Sequence, residues 1–248
     1  MFSIRGLLQG VAAATLLGLA GSASAATVTG SASALLILDD LQAAVIFTTG
    51  SPSATPANGT TLVAATADEV TDTDSAFGIF VTLGASATGS FGSASSLSTS
   101  GALSATADAA QPGIASASVV RSGQVDFSGG TGTLVIQIPY QLQVEMSTFA
   151  DATSSAKASI VLNAFRLNAS TAQYSSSAQL LFDQGSGPGS SVTGGFLTLA
   201  IPFLSGEQYL FTADVNAKVT TTSVVPVPPA LWLLGSALAV LGTRRARC

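Results

Sequence analysis

Six apolar residues at strictly alternate positions constrain this chain more than any other feature: Ile136, Ile138, Tyr140, Leu142, Val144 and Met146. Gln137, Pro139, Gln141, Gln143 and Glu145 lie between them. Successive side chains of an extended strand point to opposite faces, so this spacing makes one buried and one wet face and does not suit a helix. The pattern returns at Tyr209, Phe211, Ala213, Val215, Ala217 and Val219, with Gln208, Thr212, Asp214, Asn216 and Lys218 outward. Leu197, Leu199, Ile201 and Phe203 alternate just before it. The Leu204–Gln208 stretch between them reads as a turn, which predicts a hairpin across Ser205 and Gly206. Pro139 has no N–H to give to a ladder, so its strand is expected at an edge or bulged there.

Weaker alternation runs through Phe77, Ile79, Val81 and Leu83, and through Tyr174, Ala178, Leu180 and Phe182. Segments 156–167 and 43–49 also read as strands. The glycine-rich segments 127–133 and 183–191 read as loops by composition. Residues 84–119 are nearly all Ala, Ser, Gly and Thr, and fit either a surface excursion or edge strands with small inward residues. The second reading is favoured, with Phe91, Leu97 and Leu103 as anchors. Many short strands and no capped helical period predict an all-β body, a single β-sandwich or jelly-roll-like domain over residues 26–223.

The ends differ in kind. At the N-terminus Arg5 is followed by an apolar run over residues 7–20 and then by Ala23, Ser24 and Ala25. That order is a secretory signal peptide over residues 1–25, cut after Ala25 by signal peptidase so that the general secretion machinery delivers a chain starting at Ala26. At the other end Pro226, Pro228 and Pro229 can neither continue a strand nor sit inside a helix. Residues 230–242 are almost wholly apolar and include Trp232, and Arg244, Arg245 and Arg247 close the run. The uncharged stretch 224–243 approaches the roughly 20 residues that span a bilayer core. The arginines would stay on the cytoplasmic side and the body outside. Residues 224–248 thus predict a C-terminal transmembrane helix behind a proline break.

Proline motif, apolar helix and arginine cluster, in that order, resemble a PEP-CTERM sorting signal. The stretch "VPVPPALWLLGSALAVLGTRRAR" is most similar to the VPLPA-type variant, through Val225, Pro226, Pro228, Ala230, Leu231, Trp232, Leu233, Leu234, Gly235 and Ser236. It departs from the commonest letters at Val227 and Pro229 and has no Glu between the prolines. The resemblance covers some 25 residues. It implies recognition by an exosortase, a membrane cysteine protease or transpeptidase of Gram-negative bacteria that make exopolysaccharide. Val225, Pro226, Val227, Pro228 and Pro229 would form the recognition and cleavage region, with Trp232 and the three arginines as anchor and stop. The released body would reach the cell surface or the extracellular matrix.

Composition narrows what the body can do. With both ends removed it keeps all 13 acidic residues but only Arg121, Lys157, Arg166 and Lys218 as cations. A net acidic surface without clustered Lys and Arg excludes nucleic acid as a partner. The chain has no His, and its single Cys, Cys248, lies beyond the arginines. Ser-His-Asp and Cys-His nucleophiles are therefore excluded from the body, as are the commonest zinc ligands. A carboxylate pair for glycoside hydrolysis remains open among Asp126, Glu145, Asp151, Asp183, Glu207 and Asp214, but a non-enzyme is expected.

Asp68, Glu69, Asp72 and Asp74 fall within seven positions. They fit either a charged solvated turn, which is favoured, or a site for Ca²⁺, which takes hard oxygen ligands. No other cofactor is expected. Asn58 and Asn168 each begin an Asn-x-Ser/Thr triplet, weak evidence of glycosylation in a bacterial protein. The expected role is structural or adhesive in exopolysaccharide or biofilm. A calcium- or glycan-binding surface module is the alternative.

Overall fold

The computed structural model describes residues 28–78, 81–147, 154–167, 173–183 and 188–222. They form eleven strands and no helix: β1 (Thr29–Ile37), β2 (Gln42–Ala67), β3 (Val70–Phe77), β4 (Leu83–Thr88), β5 (Gly92–Ser98), β6 (Ala102–Ala110), β7 (Gly113–Met146), β8 (Ser155–Arg166), β9 (Tyr174–Phe182), β10 (Gly189–Phe203) and β11 (Gln208–Thr221). All belong to one antiparallel sheet.

Its organiser is β7, 34 residues long. Along one flank β1 pairs from Gly30↔Met146 to Leu36↔Tyr140, and β2 continues from Gln42↔Gln137 to Ala67↔Ala115. Along the other flank β10 pairs from Gly189↔Met146 to Phe203↔Gly132, and β11 continues from Gln208↔Asp126 to Thr221↔Gly113. The sheet extends outward as β1-β6-β5-β4 from one half of β7 and as β11-β8-β9 from the other, with β3 beside β2.

These halves face each other. β11 packs on β6 and β1, β2 on β4 and β5, and β9 on β10, so one continuous sheet makes two sandwich-like layers. The fold-over lies in the middle of β7. Inward residues are odd-numbered up to there (Ala115, Ala117, Val119, Phe127) and even-numbered beyond it (Leu134, Ile138, Leu142, Val144, Met146). A strand changes faces this way only where the ladder slips by a residue, as at a bulge. The register shifts of β2 against β7 fall here, and Gly129 adopts φ +78°. A Cβ on Gly129 would run into the Ser51 carbonyl oxygen.

The alternations at 136–146, 197–203 and 209–219 all place their apolar residues inward, as do those of β8 and β9. The small-residue segment forms β4, β5, β6 and the start of β7, with Ala85, Ala87, Ala94, Ala105, Ala107 and Ala109 buried. Of its expected anchors only Leu103 is buried. Phe91 and Leu97 face out, because the alanines already fill the inner positions.

Four expectations are corrected. The 204–208 turn does not reverse the chain: β10 and β11 run in the same direction, end to end along β7. The Phe127 N–H donates to the Glu207 carbonyl (2.9 Å) and the Gly206 N–H to the Phe127 carbonyl (2.8 Å), so the ladder carries on through the turn. Segment 127–133 is strand, because a bulge absorbs its glycines within β7. Pro139 sits in a central strand, opposite the gap where residues 38–41 separate β1 from β2, so it falls at a break in that ladder. Phe77 and Leu83 belong to different strands, and Phe77 is 90% exposed.

Candidate functional site

The inner faces of β11 and of the first half of β7 share one interruption in their burial. On β7, Ala115, Ala117 and Val119 are buried, Arg121, Gly123 and Val125 only partly so, and Phe127 is buried again. On β11, Val219, Ala217 and Val215 are buried, Ala213 and Phe211 partly, and Tyr209 fully. The two interruptions coincide, because Ala213 pairs with Arg121 and Phe211 with Gly123. Leu162 of β8 pairs with Ala213 from the other side, so Arg121, Ala213 and Leu162 form one row across three strands. Ile136, Ile138 and Leu199 of the opposite layer face them, and Leu38, Leu41 and Ser100 from two turns stand at the margin. Between these walls lies a mainly apolar cavity of about 440 Å³. Small residues at 123 and 213 leave it unfilled.

Arg121 is its one cation. Its Nη2 donates to Ser98 Oγ (2.6 Å) and to the Thr99 carbonyl (2.8 Å), both at the β5–β6 turn of the facing layer. Its Nε is buried without a hydrogen-bond partner. Burial lowers the guanidinium pKa from its ordinary value, but a guanidinium stays cationic in proteins. Among the described residues the one ion pair is Arg166 Nη2 with Glu207 Oε1 (2.6 Å), so Arg121 has no carboxylate partner there. A buried cationic donor with an unmet N–H, beside apolar walls, can hold an anion that also has an apolar part.

A second cluster sits at the fold-over. Phe127 stacks on Phe203 and meets Tyr209 edge-on, and Tyr209 in turn approaches Tyr174 and Phe211. The Tyr209 hydroxyl donates to the Pro202 carbonyl (3.0 Å) and lies 3.4 Å from Glu207 Oε2. Burial, then the nearby Glu207 charge, pushes its pKa up to about 12. These contacts hold the bend.

The acidic residues read from the sequence stand around the β2–β3 turn and across its hairpin. Asp68 accepts the Phe91 N–H on Oδ2 (2.8 Å) and the Ile114 N–H on Oδ1 (3.2 Å). Asp72 accepts the Ser86 N–H (2.9 Å) and Asp74 that of Ser75 (2.8 Å). The chain thus draws these carboxylates toward separate backbone amides. Among the described residues no three His, Cys, Asp or Glu side chains are grouped to hold a metal ion. Of the other carboxylates, Asp126 accepts from Gln124, Asp214 from Asn216, and Glu207 is paired with Arg166.

Ala23, Ala25 and Ala26, Val225 to Pro229, Trp232, Arg244, Arg245 and Arg247 lie outside the described residues, as does Asp151. Among the described residues no helix is long and apolar enough to cross a membrane. Arg121 stands in no sequence motif, although continuing the Ala115, Ala117, Val119 alternation by one step places it inward.

No family model matches the chain. No curated protein matches it either. Among solved structures it has a faint likeness to the CtCBM11 of a solution study of structure, dynamics and binding, at 9% identity and a TM-score of 0.14 over 57% of this chain and 90% of that one. Another is a vicilin from Solanum melongena, at 5% identity and a TM-score of 0.14 over 78% of this chain and 73% of that one.

Proposed function

We propose that this chain is an exported bacterial surface or matrix protein. It would be a β-sandwich body between a secretion signal helix and a transmembrane sorting tail, both removed on the way out. Its role is structural or adhesive in exopolysaccharide or biofilm, without catalysis. The observation that carries this reading is the order of Pro226, Pro228 and Pro229, the apolar run through Trp232, and Arg244, Arg245 and Arg247. Prolines keep a cleavage segment extended, as a protease requires, while the helix and arginines hold it at the membrane face. The exosortase cuts near the prolines and passes the body outward. A body without His or Cys fits a passive role, since it has neither the commonest general base nor a thiol nucleophile.

Intact-mass analysis of the protein recovered from the surface or medium of its own bacterium tests this. The expected mass lacks residues 1–25 and everything after the proline cluster, and any excess identifies an attached lipid or glycan. A product that still carries Trp232 and the terminal arginines makes the tail a permanent anchor and overturns the sorting reading.

A further inference from the structure

We infer that the cavity beside Arg121 is a binding site for a single-chain amphipathic carboxylate, with the apolar tail between the two layers and the carboxylate on the Arg121 guanidinium. The site stands on the body alone and is independent of how the chain ends are processed.

Three observations converge on it. Along β7 and β11 the inward positions are buried on both sides of the cavity, at Val119 and Phe127 and at Val215 and Tyr209, and only partly buried beside it, so the gap is local to the Arg121 row. The walls that Leu162, Ile138, Leu199 and Phe211 provide are apolar and suit a hydrocarbon chain. Arg121 has an unpartnered buried Nε and, among the described residues, no carboxylate in ion-pair contact, so it supplies a cation without a salt-bridge partner.

Size selects the occupant. The cavity's 440 Å³ is about three times the ~150 Å³ apolar cavity that takes up one benzene. One chain of roughly ten to twelve carbons fits. Arg121 reaches Ser98 and Thr99 across the layers through Nη2 alone, which leaves the rest of the guanidinium uncommitted. A carboxylate would take up charge-assisted hydrogen bonds there, and a neutral alcohol of equal length would not.

Titration calorimetry of the full chain in amphipathic-polymer solution, with decanoate and separately with decanol, tests the inference. An Ala213→Phe variant serves as the blank, because its ring fills the cavity from the centre of the Arg121 row. Decanoate is expected to bind saturably at one site, and Ala213→Phe to abolish that binding while the protein keeps its circular dichroism spectrum. Arg121→Gln should weaken decanoate by about ten- to a hundredfold and leave decanol within about twofold of wild type. Equal affinity for decanoate and decanol would remove Arg121 from the site. Decanoate binding that survives Ala213→Phe, or none in the wild type, would overturn the proposal. Should Arg121→Gln not fold, the decanoate-to-decanol comparison and the Ala213→Phe blank still decide it.

Discussion

The rings of Phe127 and Phe203 stack at a centroid separation of 4.2 Å and an interplanar angle of 15°. Phe127 lies just before the bulge of β7, and Phe203 ends β10 just before the turn into β11. Their stacking joins the two strands at the point where the sheet doubles over. The bend is thus the aromatic part of a core that is otherwise rich in alanine.

Both rings are buried, and truncating such a ring to alanine costs about 3–5 kcal/mol. Phe127→Ala and Phe203→Ala should each destabilise by that amount in urea denaturation. A cycle of Phe127→Leu with Phe203→Leu should show a coupling of about 1 kcal/mol from the lost stacking. Additive losses would mean that the rings do not act as a pair.

Tyr209 gives stability a pH dependence of defined sign. Its folded pKa, about 12, lies above the ordinary 10.0, so folding favours the neutral phenol. That contribution is complete below pH 10 and is lost as pH rises from about 10 through about 12. Tyr209→Phe should flatten the alkaline fall in stability over that window. At pH 7 it should cost only ~1 kcal/mol, for the hydrogen bond to Pro202. An alkaline midpoint that the substitution leaves unmoved would assign the fall to other groups.

Two glycines with similar φ separate strain from collision. Gly129 (φ +78°) meets the Ser51 carbonyl, whereas a Cβ at Gly206 (φ +88°) meets nothing within 4 Å. Gly206→Ala should therefore cost about 1–2 kcal/mol, from backbone strain alone. Gly129→Ala should cost clearly more, and thermal melts of the two variants in parallel would show the difference. Equal losses would mean that the bulge shifts to make room.

Asp68 adopts φ +52° at the β2–β3 turn, and its carboxylate accepts amides from two other segments. Asp68→Ala removes both bonds and should lower stability by about 2–3 kcal/mol. Asp68→Asn tolerates the conformation, keeps one acceptor oxygen and should lose about half as much. With the carboxylates so engaged, added calcium or EDTA should leave the melting temperature unchanged. A calcium-dependent rise would restore the acidic cluster as a metal site.

Much of the strand content was legible, because a strand's inward face is a local property. The spacing of Leu142, Val144 and Met146, or of Val215, Ala217 and Val219, names the buried side wherever the strand pairs. The glycines of residues 127–133 are not a loop signal here, because composition alone does not distinguish a turn from a bulge inside a long strand. In the sequence Arg121 is simply one of the body's four cations. Its importance comes from the small residue Gly123 on its own alternation, and from Ala213 and the facing layer, which lie far from it in the chain.

By itself, the sequence determined an all-β body, the inward phase of its strands, the absence of thiol and imidazole chemistry there, and the tripartite tail. The strand phases and the tail are written in short local windows, and the missing thiol and imidazole are a matter of composition. Only the tertiary structure decided that β10 and β11 run end to end along β7, that one sheet folds over into two layers, and that a cavity remains beside Arg121. The reason is that partners such as Gly113 and Thr221 lie far apart in the chain. Loop-closure entropy rises only slowly with separation, so nearness in sequence selects a partner weakly. The choice falls to packing between layers, where a missing side chain at 123 or 213 matters as much as one that is present.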